Sequence, residues 1–268
     1  MTIGIIGYGS MGRMLAEKFA EAGRTENGAI LVSTRTKEKL KTLPEGVAAC
    51  ESNSELAALS DIVFLCLRPV DMKEIIEEIR PVLKQETLLV SLNGSVSFAS
   101  MGKIFEGRMA KMIPSVTAEI NRSQTLVCYN RLAEEKDRRM LNGLLECIGE
   151  VIELPENEMG MGSELASCMP GFIASIFDVI CRSAKGHTEI PYSQVVRMVL
   201  NTMTATGELM LKNGLSFDEV VSRVATKGGI TEVGAKVIYE QFPATADSLF
   251  EKTMEKRRVT AKAAEEMF

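Results

Sequence analysis

The chain has 268 residues, of which 46% are hydrophobic and 25% charged, with a net charge of −5. That is enough apolar material for two cores, and the acidic balance excludes a general nucleic-acid binder, which needs a basic face. No stretch reaches roughly 18 uninterrupted apolar residues, so no membrane partner is expected, and the short apolar start does not read as a signal peptide.

In chain order, short apolar runs first alternate with amphipathic stretches. Strands are predicted at Ile3–Ile6, Ala29–Ser33, Gly46–Ala49, Asp61–Leu67, Thr87–Leu92, Arg108–Ile113, Gln124–Tyr129 and Val151–Leu154. Helices are predicted at Met11–Ala22, Lys37–Thr42, Ser54–Ala58, Val70–Leu83 and Glu134–Ile148. Continuous apolar strands between helices build a mainly parallel sheet with right-handed crossovers. After about residue 156 the strand signals stop. Helices are predicted at Gly162–Lys185, Pro191–Lys212, Phe217–Val224, Thr231–Gln241 and Ala244–Glu266. The expected fold class is therefore an α/β Rossmann domain, residues 1–156, followed by an all-α domain, residues 157–268. Phe172, Ile173, Ile176, Val179 and Ile180 nearly encircle one helix, and so small a helical half cannot cover it alone. A homodimer or higher homo-oligomer built on these helices resolves that excess.

Gly7-Tyr8-Gly9-Ser10-Met11-Gly12 follows the first strand and opens the first helix. G-x-G-x-x-G in this context is a dinucleotide signature: the turn, the close approach to pyrophosphate and the helix–strand packing each need a glycine. The unpaired N–H groups of the helix start supply the anion site. NAD sites place an acid at the end of the second strand, whereas this chain has Ser33-Thr34-Arg35-Thr36-Lys37. Hydroxyls and cations suit a ribose 2′-phosphate, which favours NADP, with NAD possible. The turns Leu67-Arg68-Pro69 and Asn93-Gly94 end two further strands and are expected to border the ribose and nicotinamide.

The six cysteines lack a CxxC pair and read as reduced, buried thiols, and no metal site is expected. His187, the single histidine, reads as part of a solvated turn, and Glu255-Lys256-Arg257-Arg258 as a solvated helix face.

The segments IGIIGYGSMG, VSTRT, FLCLRP, KMIPS and TKGGIT, in this order and spacing, resemble those of the pyrroline-5-carboxylate reductase family over the whole length. That resemblance implies NADP-dependent reduction of the C=N bond of pyrroline-5-carboxylate to proline, in a cytoplasmic enzyme of proline biosynthesis acting on a cyclic imino acid. It implies a substrate site at Lys227, Gly228, Gly229, Ile230 and Thr231. The free N–H groups there anchor a carboxylate, and Thr231 serves as the catalytic hydrogen-bonding residue. The chain departs from the family at Arg68, at Ser115-Val116-Thr117, at Ser167-Cys168-Met169-Pro170-Gly171 and at Thr226-Lys227. These versions are closer to the late-competence reductase-like branch. The alternative is thus an NADP-binding regulatory or competence-associated protein. A different NADP reductase or dehydrogenase on the same two-domain plan is a third reading.

Overall fold

The computed structural model describes residues 1–23 and 29–268. Eight strands form one sheet in the order β3-β2-β1-β4-β5-β6-β7-β8. They are β1 (Ile3–Ile6), β2 (Ile30–Ser33), β3 (Val47–Ala49), β4 (Ile62–Leu65), β5 (Leu88–Ser91), β6 (Met109–Ile113), β7 (Ser123–Tyr129) and β8 (Gly149–Glu153). All neighbours pair in parallel except β6 and β7. Those two are joined by a 3₁₀ turn, Val116–Ile120, that ends on left-handed Asn121 (φ 57°) and lets the chain reverse. This mainly parallel sheet is the architecture expected from the alternation.

Side chains alternate between the two faces of each strand. Ile3, Ile5, Phe64 and Val90 enter one core with Leu15 and Phe19 of α1 (Ser10–Glu21). Ile6, Val63, Leu65 and Leu89 enter the other, beneath α2 (Asn53–Leu59) and α3 (Pro69–Ile79). Both faces are covered, which is why these strands read as unbroken apolar runs. Phe19 and Phe64 pack with ring centroids 5.5 Å apart.

Three short elements carried no usable sequence signal: α4 (Phe98–Gly102) and the 3₁₀ turns Val116–Ile120 and Glu156–Glu158. The next helices are α5 (Glu135–Leu145) and α6 (Met159–Ser163); α6 runs through a π-helical turn, Glu164–Cys168, into α7 (Met169–Lys185). Then follow α8 (Tyr192–Asn213), α9 (Phe217–Val224) and α10 (Ile230–Glu265). Instead of two helices broken near residue 242, α10 is one helix of 36 residues with Pro243 inside it. A proline removes one hydrogen bond and crowds one carbonyl, and the long helix tolerates both.

By internal contacts the chain forms two units, Met1–Pro170 with Met254–Phe268, and Gly171–Thr253. The end of α10 belongs to the first unit, where Ala264 joins the core beneath α2 and α3. In the second unit only Cys181 and Val195 are buried among the described residues, while Leu211 is 80% exposed and Phe217 77%. The helical run Glu156–Lys185 is long and apolar enough, by length and composition, to cross a membrane, although Glu164, Asp178 and Arg182 interrupt its apolar residues.

Candidate functional site: a dinucleotide cleft at the strand ends

The C-terminal ends of β2, β1 and β4 lie side by side where the strand order reverses, and ligands of open α/β sheets bind outside such a crevice. A cleft of about 560 Å³ opens there. It gathers Gly7, Tyr8 and Gly9 from the first turn, Ser33, Thr34 and Arg35 from the second, and Leu67 and Arg68 from the fourth. Eight of the residues expected from sequence at a dinucleotide site thus meet on one concave surface. Ser10 and Met11 are exposed in the first turn of α1, beside the cleft in sequence, and Pro69 opens α3. Asn93 and Gly94 do not line the cleft. Asn93 instead closes its own turn, its Oδ1 accepting from the backbone N–H groups of Ser95 and Val96 at 2.9 and 3.2 Å.

The glycine loop has the shape a pyrophosphate requires. Gly7 holds φ at 97°, and a methyl there would strike the Cys66 carbonyl oxygen. A methyl on Gly12 would collide with the Gly7 carbonyl oxygen, so only glycine lets α1 start this close to the strand. Around Gly9, no atom lies within 4 Å of where a Cβ would stand, so its backbone is open to a phosphate. Gly9 precedes α1 with no side-chain cap, which leaves the first N–H groups of the helix for an anion. These residues fit a bound dinucleotide. The Tyr8 side chain points the other way: it is buried in the core, its hydroxyl has no hydrogen-bond partner among the described residues, and burial raises its pKa.

At the end of β2 the Ser33 hydroxyl is buried and donates to Asn53 Oδ1 at 2.7 Å, and Asn53 Nδ2 donates to Glu78 at 2.8 Å. Lys37 and Lys39 donate to the carbonyl oxygens of Glu51 and Tyr8, at 2.7 and 3.3 Å. Arg35 and Arg68 extend into solvent on either side of Asp71. The hydrogen bond from Arg68 lowers the Asp71 carboxyl below its ordinary value. Asn53, Asp71 and Glu78 all line the cleft and were missed from sequence. Only Asp71 left a trace there, as an acid three residues after Arg68 in the first turn of α3.

The Lys227–Thr231 segment is a turn leading into α10. Gly228 takes φ 75°, its N–H donates to Glu232 at 2.5 Å, and the Gly229 N–H donates to the Thr226 carbonyl at 2.8 Å. Lys227 and Thr231 are exposed, and Ile230 is 94% exposed. One expected surface residue is not one. Arg257 donates to the buried carboxylate of Glu164 from Nη2 at 2.7 Å and from Nε at 3.2 Å, while its neighbour Arg258 pairs with Glu255 on the exterior. His187 lies exposed in the turn after α7.

Residues 2–94 match the family described as NADP oxidoreductase coenzyme F420-dependent, and residues 156–260 match pyrroline-5-carboxylate reductase dimerisation. The chain is 31% identical to pyrroline-5-carboxylate reductase 3 of Bacillus subtilis, over 95% of this chain and 94% of that protein. It is 23% identical to ComE operon protein 4 of the same organism, over 100% and 99% of the two chains. A solved pyrroline carboxylate reductase of Plasmodium falciparum, with NADP bound, superposes with a TM-score of 0.80 at 18% identity, covering 100% of this chain and 98% of that one.

Proposed function

The chain belongs to the pyrroline-5-carboxylate reductase family, and on that premise we propose that it catalyses the NADPH-dependent reduction of the C=N bond of pyrroline-5-carboxylate to proline. The observation that carries this reading is the full-length match, at 31% identity, to a relative named for that activity. The cleft supports the cofactor half of it, with an open glycine loop and, after β2, the Arg35 guanidinium where an NAD site has an acid.

In this reading Gly9, Ser10 and Met11 hold the pyrophosphate through backbone N–H groups, Gly7, whose own N–H donates to the Ser33 carbonyl, shapes the turn that presents them, and the turns after β2 and β4 hold the adenosine ribose. Asn93 and Gly94 border the far end of the cofactor. When bound, the reduced nicotinamide supplies the hydride. The protein's own contribution is position, because the reacting carbon must lie within contact distance of the hydride donor. Within the Lys227–Ile230 turn the Gly228 and Gly229 N–H groups are taken by Glu232 and the Thr226 carbonyl, so the N–H groups of Lys227 and Ile230 anchor the substrate carboxylate, and the Lys227 ammonium adds a charge the usual family sequence lacks. Thr231 hydrogen-bonds the ring nitrogen, which ends the reaction carrying a proton. Residues 1–156 supply the cofactor domain and residues 157–268 the substrate and dimerisation domain. The bare apolar faces of α7 and α8 are those a second copy of the chain covers, and a cytoplasmic location follows from the biosynthetic role.

Steady-state NADPH oxidation with pyrroline-5-carboxylate tests the proposal. Turnover by the wild type, lowered at least tenfold by Thr231→Ala as for a lost hydrogen bond to a charged group, is the expected outcome. Absence of turnover by the wild type refutes it. The full-length similarity to ComE operon protein 4, together with Lys227 and the Ser167–Gly171 segment, favours one second reading: a cofactor-binding protein with a competence-associated role. Proline auxotrophy on deletion of the gene is expected for the first reading and not for the second.

A further inference from the structure

The ion pair between Arg257 and Glu164 is explained neither by the glycine loop nor by the Lys227–Thr231 turn. Glu164 opens the π-helical turn Glu164–Cys168, and such turns inside α-helices recur at functional sites. Its carboxylate is buried, and Oε2 has no hydrogen-bond partner among the described residues. Oε1 alone receives Arg257, from Nε and from Nη2. Burying such a pair adds little net stability, because desolvation offsets the attraction. What the pair does fix is the plane and direction of the guanidinium.

The other end of that guanidinium is unused. Nη1 makes no hydrogen bond among the described residues, and it stands 3.7 Å from where a Cβ on Gly94 would lie. Gly94 follows β5, and β1, β4, β5 and β6 run parallel, so Gly94 stands at the same C-terminal sheet edge as the glycine loop. Two glycines make room for the side chain: Gly94 itself, and Gly160, where a Cβ would come within 3.2 Å of Arg257 Cδ. The other neighbour of the Gly94 position is apolar, Ile113 Cδ1 at 3.3 Å. Lys111 of β6 is buried and held by Glu156 at 3.2 Å, whereas Arg257 is 23% exposed and open to a ligand. All these residues belong to the first unit. A guanidinium fixed along one side and free along the other matches the planar fork of a carboxylate.

We infer that Arg257 is a specificity-determining residue that receives the carboxylate of the cyclic imino acid, with Glu164 as the positioning residue that fixes its guanidinium. This rests on the reductase reading above and adds to it a side chain from the cofactor unit. A carboxylate offers two oxygens and about four acceptor sites, so Arg257 adds to the N–H groups of Lys227 and Ile230 and does not replace them. The substrate class thereby narrows to cyclic imines that bear an acid beside the ring nitrogen. The same ring without the acid leaves Nη1 unpaired and is selected against.

Steady-state kinetics of the full-length protein with NADPH and either pyrroline-5-carboxylate or 1-pyrroline, the same ring without the carboxylate, test this. The readout is the ratio of the two kcat/KM values, and the wild type is expected to favour the acid. Arg257→Met alone strands the buried Glu164 carboxylate, so the informative variant is the double one, Glu164→Gln with Arg257→Met. It is expected to lower the ratio by about tenfold, the size of one lost charge-assisted hydrogen bond, mainly through KM for the acid. Arg257→Lys, which keeps the charge without the fork, should fall between the double variant and the wild type. Thermal melts within a few degrees of wild type establish that the variants fold. A pair that only holds the fold together would lower both kcat/KM values alike, and that unchanged ratio overturns the inference alone. So does a rise in KM for NADPH at an unchanged ratio, or a wild type that favours 1-pyrroline. Absence of wild-type turnover with either substrate overturns the reductase reading and this inference with it.

Discussion

Gly12 shows how tightly single residues are constrained around the cleft. Its α-hydrogen faces the Gly7 carbonyl oxygen at a spacing no Cβ can occupy. Gly12→Ala must push α1 away from β1 and disturb the loop between them. We expect a lower melting temperature and loss of measurable NADPH binding by calorimetric titration. Cys66 lies at the same edge, and burial pushes its thiol up to about 12. At pH 8 the thiolate fraction is then on the order of one in ten thousand. Native protein treated with iodoacetamide at pH 8 is expected to remain unmodified at Cys66 by mass spectrometry, and protein in denaturant to be modified. Glu164 is a third case: it is 2% exposed, and one of its carboxylate oxygens has no hydrogen-bond partner among the described residues. Among the described residues, Arg257 is the cation that pairs with this carboxylate. Arg257→Met should therefore cost about 3–5 kcal/mol, because it strands a buried carboxylate. Urea unfolding measures this, and the double variant Glu164→Gln with Arg257→Met should recover much of the loss.

At the scale of elements, the strands were the most legible part of the chain. Asp61–Leu67 and Thr87–Leu92 are uninterrupted apolar runs, and β4 and β5 lie inside them in the middle of the sheet. A strand covered on both faces has no polar positions to blur its limits. α10 was legible in composition but not in extent. Pro243 reads as a stop in sequence because a proline removes a hydrogen bond from any isolated helix. Here the helix continues, and the residues beyond it include Arg257 and Ala264, both tied into the first unit. Such anchoring makes up for one missing backbone bond. Pro243→Ala is accordingly expected to raise stability by about 1 kcal/mol or more, seen as an upward shift of the circular-dichroism melt. Arg257 read as surface for a related reason. A run of four charges on a helix is usually solvated, and only the fold shows that one of them reaches a buried acid 93 residues earlier.

For the whole molecule, the contrast between the two units is the main feature. The first has complete cores on both faces of its sheet. The second leaves Val179 66% exposed and Leu211 80% exposed. Apolar patches of this kind mark a surface that another chain covers. If the proposed dimer forms through these helices, light scattering should give twice the chain mass of 29.3 kDa. Val179→Asp should shift that mass toward the monomer.

The sequence by itself determined the strand–helix alternation, the change of class after about residue 156, the glycine loop and the absence of an acid after β2. All of these are local patterns, set by side-chain periodicity or by a backbone geometry that only glycine allows. It also determined the family, because motifs in fixed order survive where individual residues change. The tertiary structure decided which of those pieces meet. It set Arg35 and Arg68, 33 positions apart in the chain, on one carboxylate, engaged the Ser33 hydroxyl with Asn53, and joined Arg257 to Glu164. Contacts across a sheet edge depend on strand order, and no periodicity along the chain encodes strand order. The glycine loop marks a dinucleotide site, and the residues gathered beside it from separate turns determine which dinucleotide it suits.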